Sequence, residues 1–330
     1  MRTGVISETV LKRSVLKKIK YKSPLLVQGP AAGVRCSRLS VGERQQMLFA
    51  EVTVSGDPGV VSEQAFYRMA NDISASGGRP TGMLVSMFLP EPAGEDGIKQ
   101  VMGELAGLAH TYQVDVLGGH TEIVTGVTQP VLSVTGIGVA EPGMEAANGK
   151  LVAGQDIVMT KWAGATGAAA LVKRERNRKQ GAALAARFST NFLDRAAEYF
   201  RYMSSVRDVE VALGSGATAL QNAGKSGLFG ALWEMGERSG VGFSVDLKRI
   251  SVCQEAVEVC EWFNSNPYLI SSDGVLLAGT NEGEPLVRAF AQEGIPAAVI
   301  GNVTKERGRV IVSGDEQRFL VPPGSSSWNY

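Results

Sequence analysis

Three short stretches carry side chains whose types and spacing could do chemistry. They are Ser55-Gly56-Asp57-Pro58, then Asn71-Asp72 running on to Gly77-Gly78-Arg79-Pro80, then Gly118-Gly119-His120-Thr121-Glu122. Each stands at the polar end of an apolar run. Brought together, they would form a shallow cradle of carboxylates, backbone amides and one imidazole. Such a cradle suits a metal-bound polyphosphate, because Mg2+ takes oxygen ligands and keeps waters while it bridges phosphates. Asp57 also reads as a plain turn residue, since Asp and Pro both favour turns. Asp72 is more pointed: a carboxylate in the last turn of a helix opposes the macrodipole, so a cation or a donor should face it. Gly118 and Gly119 would let backbone N–H groups approach an anion. Of the two histidines, His110 reads as a packing or surface residue of a helix, and His120 lies in the proposed mouth. Neither the number nor the spacing of His and Cys suits zinc. No nucleophile elbow or P-loop occurs, and Gly164–Gly167 and Gly214–Thr218 resemble phosphate loops only loosely.

The elements that must position these residues follow from periodicity. A basic helix is expected over 10–20, a Gly/Ala loop over 25–35 and a strand over 45–55. Helical spacing of Ala65, Met69 and Ile73 predicts a helix over 60–76. A strand over 81–89 ends at Pro90-Glu91-Pro92, a second amphipathic helix runs over 97–112, and strands follow at 114–117 and 130–139. The order β-α-β-α-β-β describes an α+β half with a partly antiparallel sheet. A hinge at 141–154 sets the expected division into residues 1–148 and 149–330. The second half reads as a strand over 156–161, a Gly-rich turn, then helices near 191–204, 208–222 and 228–240. A strand at 242–247, a helix at 253–264 and the series strand, helix, strand, strand over 275–312 complete it. The charged run 173–179 reads as a solvated helix end, since no aromatic residues interleave with it. The tail from 321 is expected to be loose.

Composition narrows the classes. The 330 residues are 44 % hydrophobic, enough for a large core and two domains. Thirty-three Lys and Arg balance 33 Asp and Glu, so no global field draws nucleic acid or an anionic membrane. No apolar run reaches the length of a span, and the basic N-terminal segment lacks a signal-peptide core. Three cysteines do not make a disulfide framework, and the cytoplasm is the expected compartment.

The motif order then resembles a family. Asp57-Pro58, Asn71-Asp72-Ile73 leading to Gly77-Gly78-Arg79-Pro80, Leu89-Pro90 and Gly118-Gly119-His120-Thr121-Glu122 fall in the order of the aminoimidazole ribonucleotide (AIR) synthase superfamily. Thr160-Lys161 with 164–171, Ser226 to Glu234, and Ser272-Asp273-Gly274-Val275 extend the likeness over nearly the whole chain. The branch it resembles is the AIR-synthase-related one that is similar to a hydrogenase maturation protein. The resemblance implies a two-domain PurM-like fold of α+β and α/β character. Its N-terminal ferredoxin-like domain would pair with a second copy into a shared barrel, giving a homodimer, and its C-terminal domain would be α/β. It implies ATP and Mg2+ as cofactors, and phosphoryl transfer or dehydration on a small or partner-borne substrate. It further implies Asp57 and Asp72 as metal ligands, and His120 and Asp72 as catalytic groups. Asn71, Gly118, Gly119, Thr121 and Lys161 would lie with the nucleotide.

Three departures stand against that pattern. Arg35 occupies the place where an Asp of the Gly-Xaa-Asp-Ala-Ala stretch is expected, and a guanidinium can meet phosphate but cannot ligate a cation. Gln221-Asn222 stand where His-Asp is expected, which removes proton-transfer capacity. The C-terminal cysteine of the dehydrating maturation protein is absent from Ser327-Trp328-Asn329-Tyr330. The alternative reading is therefore a catalytically degenerate nucleotide-binding or assembly protein of the same fold.

Overall fold

The computed structural model describes residues 7–20, 22–42, 45–176 and 181–322. Expectations for the end of the charged run, the extreme N-terminus and the tail from 323 lie outside these residues. After a helical segment that begins at α1 (Glu8–Val10) and continues to Lys18, the first sheet uses β1 (Leu26–Gln28), β2 (Cys36–Ser40), β3 (Gln46–Ser55), β4 (Gly78–Leu89), β5 (Asp115–Ile123) and β6 (Val131–Ala140). Their order is β1-β2-β3-β6-β4-β5, with only β4 and β5 parallel. Two helices, α2 (Pro58–Ala75) and α3 (Gly94–Tyr112), pack on one face. Alternation decides which face: Leu48, Ala50, Val52 and Val54 point to the helices, whereas Glu51 and Thr53 point away.

The second sheet contains β7 (Asp156–Thr160), β8 (Ala219–Gly224), β9 (Gly242–Asp246), β10 (Ser272–Thr280), β11 (Ala297–Thr304), β12 (Arg309–Ser313) and β13 (Glu316–Phe319). It runs β13-β12-β9-β11-β7-β10-β8. Around it stand α4 (Ala165–Arg176), α5 (Gly181–Arg187), α6 (Thr190–Glu198), α7 (Val206–Gly214), α8 (Gly227–Ser239), α9 (Gln254–Trp262) and α10 (Gly283–Gln292). The expected helix over 208–222 ends at Gly214, and residues 219–224 are a strand buried at every position. Small and amide side chains there fit between β10 and α2, and that packing overrides local propensity.

The element that joins the halves is α2. Val61, Ala65, Phe66, Met69 and Ile73 fill the core over the first sheet. Arg68, Asn71, Asp72 and Ala75 form a second face, at helical spacing, that meets the second domain. A helix buried on two sides can carry polar side chains on a buried face when partners across the seam meet them.

Candidate functional site at the domain seam

Asp72 sits one turn from the end of α2 and is 6 % exposed. Its Oδ1 accepts a hydrogen bond from Asn222 Nδ2 at 2.9 Å, which supplies the donor that its place against the helix dipole requires. Burial pushes its pKa up, and the Arg35 guanidinium and the Asn222 amide oppose the rise only in part. Arg35 arrives from the 29–35 loop. Gly33, at φ +75°, lies so close to α8 that a Cβ there would be 2.5 Å from the Glu234 carbonyl oxygen, which pins the loop to the second domain. Arg35 donates to Glu234 Oε2 from Nε at 3.0 Å and from its terminal nitrogen at 2.6 Å, and to Ser226 Oγ at 3.0 Å. Gln221 Nε2 and Ser226 Oγ also donate to Glu234. Burial would lower the Arg35 pKa, but Glu234 and Asp72 outweigh it and hold the guanidinium charged.

The positions that depart from the family pattern thus meet in one place. Arg35, Gln221 and Asn222 surround Asp72 and Glu234, so that a guanidinium and two amides stand where the resemblance leads us to expect two acids and an imidazole. Beside them, Arg68 makes two bonds to Asp273, at 2.8 and 2.9 Å, and a third to Ser271 Oγ. Sequence reasoning left Arg68 without a role and quoted Asp273 and Glu234 only within motifs. The available signal was a charge within an apolar run, which folds only with a partner. Asn71 ties α2 to the second domain, because its amide donates to the Met203 carbonyl and its oxygen accepts from the Ser205 N–H.

The other expected site residues lie elsewhere. Asp57 is the N-cap of α2, fifteen positions before Asp72, so helix rise puts the two about 22 Å apart. Two ligands of one Mg2+ must lie within a few ångströms, so within one chain this pair does not fit the ion. No group of three His, Cys, Asp or Glu residues among the described ones could hold a metal. Gly118 to Glu122 form no turn: they belong to β5, at the sheet edge. Register places His120 beside Ser86, Ser133 and Thr53, on the face turned away from α2. The sheet therefore stands between His120 and Asp72, and the single cradle expected from the three stretches does not form within one chain. His120 Nε2 lies 3.2 Å from Glu122 Oε2, both exposed, and Thr121 follows on the same strand. Lys161 is a buried structural cation at φ +58°, its ammonium held by Asp208, Ser204 O and Gly274 O, with no donor left for a nucleotide.

Comparison with known proteins gives the following. Residues 43–140 match the family model of AIR synthase related protein, N-terminal domain, and residues 152–313 match that of its C-terminal domain. A Methanocaldococcus jannaschii protein named for hydrogenase expression and formation is 24 % identical over 80 % of this chain and 76 % of its own length. The carbamoyl dehydratase HypE of Cupriavidus necator is 24 % identical over 78 % of this chain and 69 % of its own. Among solved structures, Escherichia coli HypE superposes with a TM-score of 0.71 at 20 % identity, over 93 % of this chain and 95 % of the other. A HypE structure in complex with ATP gives 0.68 at 20 % identity, over 97 % and 95 %. One of a HypE–HypF complex gives 0.66 at 18 %, over 87 % and 93 %. These likenesses show the fold: two PurM-like halves of mixed α/β structure. No helix among the described residues is long and apolar enough to cross a membrane.

Proposed function

Since this chain belongs to the AIR synthase related family, we propose that it is an ATP-dependent enzyme that activates an oxygen of a small or partner-borne substrate, by phosphoryl transfer or dehydration. The observation that carries the reading is the buried seam where Arg35, Asp72 and Glu234 converge between the domains. Relatives named carbamoyl dehydratase, a structural neighbour holding ATP and another holding a partner protein support the same class. In this reading Arg35 meets the phosphoryl oxygens, since a guanidinium forks onto phosphate. Asp72 is the carboxylate beside it. Asp57 and the Gly118–Thr121 strand belong to a second polar region, which a homodimer built on the open sheet face would bring toward a neighbouring chain. Any Mg2+ would come with the nucleotide, because Asp57 and Asp72 do not converge on one ion. The cytoplasm is the proposed compartment.

A second reading has its own support. Glu234 is already matched by Arg35, and Asp72 by Asn222, so both carboxylates have partners without a ligand, and among these side chains only Asn222 Oδ1 is left buried without one. A binding or assembly protein that keeps the fold would look like this. Calorimetric titration of ATP, with and without Mg2+, followed by an ADP-release assay, separates the two. Binding with slow ADP release supports the enzyme; binding without release favours the nucleotide-binding relative; no binding removes the enzyme and leaves a family fold whose nucleotide site has been lost.

A further inference from the structure

On the outer side of the seam a cleft of about 460 Å3 opens between the N-terminal helical segment, the loop at Ala31 and Ala32, the linker at Lys150, and the last turn of α8. Its wall carries three cations, Lys12, Lys150 and Arg238, against one carboxylate, Glu237. That carboxylate is already taken: Lys12 and Arg309 each bond to it at 2.9 Å, and together they lower its pKa. Arg238 is different. It bonds through one terminal nitrogen to the Leu220 carbonyl at 2.8 Å, and to no carboxylate among the described residues. Its Nε is buried and meets no hydrogen-bond partner among them. Burial and the like charge of Arg35 lower its pKa, only partly offset by Glu234. Lys150 is exposed at the rim and makes no ion pair among the described residues.

A largely enclosed guanidinium without an anion is costly. An anion in the cleft would offset the charge of Arg238, which lines it. The alanine wall leaves room for a small organic body beside the charged group. We propose that this cleft binds a small molecule bearing a phosphate or carboxylate, held by Arg238 from within and by Lys150 at the rim. The site is separate from Asp72 and from the open sheet face, and the proposal does not depend on ATP binding.

The test is calorimetric titration of the full chain, in chloride buffer, with inorganic phosphate and, separately, with succinate. Saturable binding of either probe is expected: phosphate alone assigns a phosphoryl ligand, succinate alone a carboxylate. Arg238→Gln and Lys150→Glu should each weaken it by about tenfold or more. Lys150 is exposed, so that variant remains informative even if Arg238→Gln fails to fold. No saturable heat up to about 10 mM of either probe, or affinity unchanged in Lys150→Glu, would overturn the assignment.

Discussion

Asp72 is a carboxylate whose folded pKa lies above the usual carboxylate range because it is buried. Between its unfolded value of about 3.9 and that raised value, the folded state holds more protons than the unfolded one. Its contribution therefore favours folding at low pH and is lost as pH rises through the folded value. Asp72→Asn removes this dependence, and the variant's Tm at pH 7 should equal or exceed the parent's by about 2 °C, read by differential scanning calorimetry across pH. If the seam binds ATP through this carboxylate, the same variant loses affinity, so stability and function should move in opposite directions. Arg68→Met should cost about 3–5 kcal/mol by leaving Asp273 buried and unpaired, and Arg68→Met with Asp273→Leu should recover much of that; chemical denaturation measures both. The thiols should be silent. Burial pushes Cys36 and Cys260 up to about 12 and raises Cys253, so a disulfide reagent at pH 8 should label none until the chain is denatured, then all three. The need for a partner at Asp72 was legible, because a charge at that end of a helix requires one. The partner's identity was not: Asn222 lies 150 positions away, and only packing joins them.

Among the elements, α2 and α3 were legible because long amphipathic periodicity survives any context. β5 was misread at its end. Two consecutive glycines suggest a loop, yet here they serve a close approach: a Cβ on Gly119 would fall 1.8 Å from the Val85 carbonyl oxygen in β4. The strand therefore runs on to Ile123, and every residue in it is exposed. Leu117 is 56 % exposed and Ile123 45 % on an unpaired edge, an arrangement that solitary proteins avoid. The proposed homodimer would cover it. Leu117→Lys is then expected to shift sedimentation from dimer toward monomer without loss of helical signal, and a parent that already sediments as a monomer would remove the dimer from the proposal.

For the whole molecule, the two-domain plan was readable from the order of strands and helices together with the motif order. The merging of the domains was not, because it rests on one face of one helix. Arg68, Asn71 and Asp72 reach Asp273, Met203, Ser205 and Asn222, so α2 is as much a core element of the second half as of the first. A division at the proposed boundary near residue 148 is therefore not expected to give two separable folds. A fragment ending there would carry a guanidinium, an amide and a carboxylate on a bare helix face, and the complementary fragment would hold Asp273 and Asn222 open to water. Each should be insoluble when made alone, and the two should be recovered as a stoichiometric pair when made together.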